Sequence, residues 1–124
     1  MVKPLFDTNV LIDYLNGIAE ADRELSRYAS KAISVITWME VLAGTSPADE
    51  AAVRAWLLSF DILPLDDTIA ERAVAIRKTR RIRLPDAIIW ATAHVHSLLL
   101  VSRNTKDFPQ AEPGVRMPYP LPAG

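Results

Sequence analysis

The chain of 124 residues has no cysteine, two histidines and four glycines. Without thiols it can form no disulfide framework, thiolate zinc site or cysteine nucleophile, and only His94 and His96 can supply imidazole. Any chemistry must run on oxygen. No stretch approaches the ~20 uninterrupted apolar residues of a membrane span, and Met1-Val2-Lys3-Pro4 opens without the apolar segment of a secretory leader. A cytoplasmic protein with no membrane partner is expected. A large net charge is also missing: 14 Lys and Arg stand against 15 Asp and Glu, so no global basic field draws the chain onto nucleic acid. Half the residues are apolar and 23% are charged, which suits a filled core and excludes a disordered or fibrous chain. The length is that of one domain, 1–124.

One local feature breaks the charge balance. Arg77, Lys78, Arg80, Arg81 and Arg83 place five cations within seven residues. Such a run fits either a solvated helix end, where cations complement the helix dipole, or a patch that contacts phosphates.

The apolar pattern alternates between strand and helix signals. A short run closes at Leu5-Phe6 before Asp7, and Val10, Leu11, Tyr14 and Leu15 then recur at helical spacing until Asn16-Gly17. Residues 18–28 suit a second helix, and Ala32-Ile33-Ser34-Val35-Ile36 has the composition and length of a strand. Thr37 and Glu40 have capping-box spacing, which predicts a helix starting near Thr37 and ending around Gly44. Ser46-Pro47 should open the next helix, running through about Phe60. Ile62-Leu63-Pro64-Leu65 carries a proline and reads as an edge strand. Thr68 and Glu71 repeat the capping-box spacing for a helix from about Ile69 to Arg81, and Pro85-Asp86 opens a buried helix. Leu98-Leu99-Leu100-Val101 reads as an internal parallel strand. Five of the nine prolines fall after residue 108, so an extended, partly mobile tail is expected from about Pro109. The alternation implies an α/β fold: a three-layer α/β/α arrangement with a parallel sheet of four to five strands and helices on both faces.

In such a sheet, ligands bind beyond the carboxyl ends of the strands. Asp7 ends the first strand, Glu40 lies just past the second, Asp86 opens the helix before the fourth, and Asn104 and Asp107 follow the fourth. If these residues converge, their oxygens suit a hard divalent cation, which would also relieve the repulsion among carboxylates. Each acid also has a purely structural reading. Asp7 can be a helix N-cap, Glu40 a capping-box partner, and Asp86 a first-turn acid favoured by the helix dipole, while Asp107 can face solvent in a short turn.

Four blocks carry a resemblance. Asp7-Thr8-Asn9-Val10-Leu11-Ile12-Asp13, Thr37-Trp38-Met39-Glu40-Val41-Leu42-Ala43-Gly44, Leu84-Pro85-Asp86-Ala87-Ile88-Ile89 and Leu100-Val101-Ser102-Arg103-Asn104-Thr105-Lys106-Asp107-Phe108 together resemble a PIN-domain ribonuclease, in particular the toxin of VapBC-type toxin–antitoxin pairs. The likeness covers essentially the whole chain. It implies a Mg²⁺-dependent endoribonuclease, with Mn²⁺ able to substitute, that cleaves tRNA or rRNA and so inhibits translation. Asp7, Glu40 and Asp86 match the family's acidic metal positions, and Asn104 is the candidate for the fourth, with Asp107 contributing through water. Thr8 and Ser102 match hydroxyl positions expected to orient the first Asp. Arg83, Arg81 and Arg103 are the candidates for RNA phosphates. The implied partners are the RNA substrate, a VapB-type antitoxin held on apolar helices of the N-terminal half, and a second copy in a homodimer. Trp38 and Trp56 can anchor such an interface or belong to the core, whereas Trp90, His94 and His96 are read as structural.

Two other readings compete. A PIN-like domain can hold RNA or protein without cutting it. A phospho-receiver domain also has an acidic magnesium pocket, but it needs an acceptor Asp after the third strand and a Lys after the fifth, and neither is evident here.

Overall fold

A computed structural model of the protein describes residues 2–120. Its elements are β1 (Pro4–Phe6), α1 (Thr8–Leu15), α2 (Ala19–Ser26), β2 (Ala32–Ser34), α3 (Val35–Ala43), α4 (Glu50–Leu57), β3 (Asp61–Leu63), α5 (Asp67–Arg80), α6 (Leu84–Val95), β4 (Leu99–Val101) and β5 (Val115–Arg116). All strand pairings are parallel, in the order β3-β2-β1-β4-β5.

Alternation along the strands divides the core into two layers. Leu5, Ala32, Leu100 and Val115 pack with Ile69, Ala73 and Ile76 of α5 and with Ala87, Ile89 and Trp90 of α6. Phe6, Ile33 and Val101 face the other way, against Val10 and Leu11 of α1, Leu25 of α2, Val41 of α3 and Leu57 of α4. The sheet therefore carries helices on both faces, as expected. Trp38 and Trp56 are partly buried against the second layer, with Trp56 stacked on Tyr14 at 4.8 Å and edge-on to Phe60 at 5.2 Å. Among the described residues, no helix is long and apolar enough to cross a membrane.

Three boundaries depart from the sequence expectation. Strand β2 stops at Ser34, whose hydroxyl caps α3 by accepting from the Ile36 N–H at 3.0 Å, so α3 starts two residues before Thr37. Both capping-box expectations fail. Thr37 is inside its helix and fully buried, while α5 is capped by Asp66, which accepts from the Ile69 N–H at 2.8 Å. Local spacing suggested the boxes, but a better-placed oxygen occupies each cap, Ser34 three residues before Thr37 and Asp66 two residues before Thr68. The helix expected from Ser46-Pro47 begins only at Glu50, because residues 47–49 form a turn. Ser34→Ala is expected to cost about 1 kcal/mol, the usual value of an N-cap hydroxyl, measured by urea unfolding.

The tail is more ordered than its prolines suggest. Strand β5 adds to β4, the Arg116 guanidinium donates to both carboxylate oxygens of buried Glu24 at 2.8 and 3.0 Å, and Tyr119 is buried. A two-residue strand beyond Gly114, with Pro113 before it and Pro118 after, is too short to show a period. The part of the expected mobile tail at 121–124 lies outside the described residues.

Candidate active site

The chain leaves β1 to build β2 and β3 on one side and returns to place β4 and β5 on the other. This reversal opens a crevice at the carboxyl ends of β1 and β4, where α/β sheets bind ligands. Asp7 and Ser102 stand there, one at the end of each strand.

Asp7 is 4% exposed. Its Oδ1 accepts from the Thr8 N–H at 2.7 Å, and its Oδ2 accepts from Ser102 Oγ at 2.7 Å and from the Asn9 amide at 3.2 Å. It is the N-cap of α1, so its structural reading holds as far as it goes. Capping alone stabilises the charged carboxylate and lowers its pKa. Here burial pushes the pKa from 3.8 up to about 6; the bonds from Ser102 and Thr8 oppose that rise, and the charges of Asp86 and Glu40 add to it. A carboxylate kept dry beside like charges is a mark of a functional site.

Glu40, on α3, is held from the side. Thr8 Oγ1 donates to Glu40 Oε1 at 2.6 Å and lies 3.0 Å from Thr37 Oγ1. A hydroxyl carries one proton, so Thr37 donates to Thr8 and Thr8 to Glu40. The Thr8 hydroxyl thus orients Glu40, and only its backbone N–H holds Asp7, a correction to the expected role. Asp86 sits in the first turn of α6. Burial raises its pKa first, Arg83 opposes this, and Asp107 and Glu40 raise it further. Arg83 Nε lies 3.7 Å from Asp86 Oδ2, on a side chain 74% exposed.

The loop after β4 supplies the fourth side. Its Ser102 Oγ accepts from the Asn104 N–H at 3.0 Å. The Asn104 side chain is spent on its own loop: its amide donates to Asp107 Oδ2 at 3.0 Å and its Oδ1 accepts from the Asp107 N–H at 3.2 Å. The carboxylate of Asp107 faces Asp86 closely enough to raise its pKa. Asn104 thus holds Asp107, and Asp107 is the charged group on this side.

Arg103 does not stand free for RNA. Its guanidinium grips buried Asp13 through two bonds, and its side chain is only 17% exposed. Arg81 is exposed, at the end of α5, with left-handed backbone at φ 55°. Sequence reasoning assigned no role to Asn9, which bridges Asp7 and Ser102, or to Asp13. Both lie within the Asp7–Asp13 block that carried the resemblance, so the signal was present without a partner to explain it.

A PIN-domain family model matches residues 5–112. The chain is a PIN domain. It is 35% identical to Ribonuclease VapC10 of Mycobacterium tuberculosis over 95% of this chain and 94% of that one. Its fold superposes on a toxin–antitoxin complex from Klebsiella pneumoniae with a TM-score of 0.91 at 48% identity, covering 95% of this chain and 99% of that one. FitAcB from Neisseria gonorrhoeae matches with a TM-score of 0.79 at 27% identity, covering 93% and 97%. The phospho-receiver alternative is thereby excluded. PIN ribonucleases generally use a divalent metal, and the oxygen-only donors of this PIN domain fit a hard cation. Among the described residues no three acidic or imidazole side chains meet at metal-ligand spacing.

Proposed function

We propose that this PIN domain is a Mg²⁺-dependent endoribonuclease, active also with Mn²⁺, and the toxin of a VapBC-type pair, with residues 1–124 acting as one catalytic domain in the cytoplasm. The observation that carries this reading is the carboxylate of Asp7, buried beside Asp86 and Glu40 at the reversal of the sheet, with its pKa near 6. The similarity to a VapC ribonuclease points the same way.

Asp7, Glu40, Asp86 and Asp107 would hold the ion. A bound ion would supply acidity to a water and positive charge to the phosphodiester, whose hydrolysis at the P–O3′ bond would leave 5′-phosphate and 3′-hydroxyl ends. The chain's own part is positioning. Ser102, Asn9 and the Thr8 N–H fix both oxygens of Asp7, the Thr37–Thr8 relay fixes Glu40, and Asn104 fixes Asp107. No protein nucleophile is needed. Arg83 stands exposed beside Asp86 and Arg81 stands exposed at the end of α5, and the two grip flanking phosphates, which offsets the acidic charge.

The antitoxin would sit on the N-terminal helices. A groove of about 540 Å³ between α1, α3 and α4 is lined by Ile12, Leu15, Val41, Ala52 and Val53, and Ile12 and Leu15 are each 41% exposed. An amphipathic segment fits such a groove. A homodimer completes the assembly.

The test is cleavage of total bacterial RNA by the full chain, freed of any partner, with Mg²⁺ or Mn²⁺ and with EDTA and Asp7→Asn controls, followed by sequencing of new 5′ ends. Discrete cuts that both controls abolish support the proposal, and intact RNA with no metal binding refutes it. Arg81→Gly gives a finer check on RNA contact. Glycine relieves the left-handed backbone, so stability should hold or rise by up to about 1 kcal/mol. The KM for RNA should rise severalfold, and its salt dependence should weaken by about one counterion.

A further inference from the structure

We infer that Asp13, Arg103 and Tyr119 form a positioning clamp that holds the loop 102–107 in register with α1, and so sets where Ser102 and Asp107 stand in the acidic site. The inference rests on the nuclease reading of that site for its purpose, though its geometry is independent of it. Asp13 lies one helical segment below Asp7 on α1, and only 7% of it is exposed. Its Oδ1 accepts from Arg103 Nη2 at 3.0 Å, while Oδ2 accepts from Arg103 Nε and from the Tyr119 hydroxyl at 2.7 Å. The carboxylate is thus held from β4's exit and from the tail beyond β5 at once.

A buried ion pair of this kind contributes little net stability compared with apolar packing, but a two-point guanidinium fork fixes orientation. Orientation is what this loop needs, since it carries Ser102 and Asp107 to the acidic site. Three successive residues fix it. Ser102 donates to Asp7, the Arg103 N–H donates to Asn9 Oδ1 at 3.3 Å while its side chain grips Asp13, and the Asn104 N–H donates back to Ser102. Asp7, Asn9 and Asp13 all belong to α1 or its cap, so one rigid helix carries a metal-site carboxylate and the anchor for the opposing loop. Tyr119, 6% exposed, closes the anchor from outside. Arg103 therefore acts on the reaction through loop placement, without touching RNA.

The experiment compares the full chain with Arg103→Met, Arg103→Lys and Tyr119→Phe. Amide hydrogen exchange on metal-free protein is the readout that depends on neither metal nor RNA. Exchange at residues 103–107 should quicken at least tenfold in Arg103→Met and about threefold in Tyr119→Phe, with β1 and α6 unchanged. Mn²⁺ affinity should weaken about tenfold in Arg103→Met, and kcat on RNA should fall while KM stays within about twofold, with Arg103→Lys recovering part of each. Unchanged exchange at the loop, or a uniform rise across the chain, overturns the clamp. So does a raised KM with unchanged kcat and a weaker salt dependence, which marks a phosphate contact. Should Arg103→Met fail to fold, Tyr119→Phe carries the same local readout. If the parent chain neither binds Mn²⁺ nor cuts RNA, the nuclease reading fails, and loop exchange still decides the clamp.

Discussion

Asp7→Asn is expected to abolish RNA cleavage and to make the metal-free protein more stable. On the proposed reading Asp7 is one of the carboxylates that hold the ion, so cleavage should fall at least about a thousandfold, read as initial rates on a defined RNA. The stability gain follows from the carboxyl group's linkage to pH. Its folded pKa of about 6 lies above the unfolded 3.8, so the folded chain binds the proton more tightly. Stability from this group is present at low pH and is lost as pH rises from about 4 through 6, reaching about 3 kcal/mol in full. Asn carries no charge to desolvate and keeps one oxygen for the Thr8 N–H, so after weakening of the Ser102 bond a gain of about 2 kcal/mol is expected at pH 7. Urea unfolding between pH 4 and 8 measures it. The parent should lose stability across that window and the variant should not; parallel curves would show that Asp7 is an ordinary solvated cap. Metal binding reverses the difference, because the ion favours the charged carboxylate, and Mn²⁺ affinity of the parent should fall as pH drops below about 6.

Phe108→Ala should produce the largest loss of stability. Phe108 follows Asp107, is fully buried, and packs edge-on against Trp90 of α6 at 5.3 Å. Truncation leaves a cavity of ring size between the loop and α6, which costs about 3–5 kcal/mol and lowers Tm by on the order of 10–15 °C for a chain of this length. Arg80 covers the same Trp90 at 4.8 Å and pairs with Glu112 at 2.8 Å, so the cavity lies under a segment already tied at its rim and has little room to collapse. Phe108→Leu, which keeps most of the volume, should cost less than half as much. Equal Tm values for parent and Ala variant would refute the packing argument. Cleavage at a temperature where the Ala variant remains folded should also drop, because Asp107 loses its neighbour's anchor.

Both effects come from one architectural fact. At the crevice between β1 and β4 an acid at a strand end feels the charges of acids on α3 and α6, and the acid on α6 feels that of Asp107 in the loop after β4. Phe6 and Val101 fill the core layer beneath the strand ends, and Asp7 is buried above them. Burial raises the pKa of Asp7, and on the proposed reading a cation held by these carboxylates would relieve that cost.

By itself the sequence determined the α/β alternation, the internal position of β4, the edge position of β3 and the stop of α1 at Asn16-Gly17, because each is written in local hydrophobic period or in backbone restriction. It also placed Asp7, Glu40, Asp86 and the 102–107 turn near strand ends, through the rule for parallel sheets and the block resemblance. Tertiary structure decided what each polar group touches. Spacing suggested Thr37 as a cap, and the fold buried it behind Thr8 as a donor relay. Charge suggested Arg103 for phosphate, and the fold gave it to Asp13, ninety residues away in the chain. Proline content suggested a loose tail, and the fold tied it down with Arg116 on Glu24 and Tyr119 on Asp13. Hydrophobic period repeats every few residues and can be read along the chain. A hydrogen-bond partner is chosen by which surfaces the packed core brings together, and that choice has no local signature.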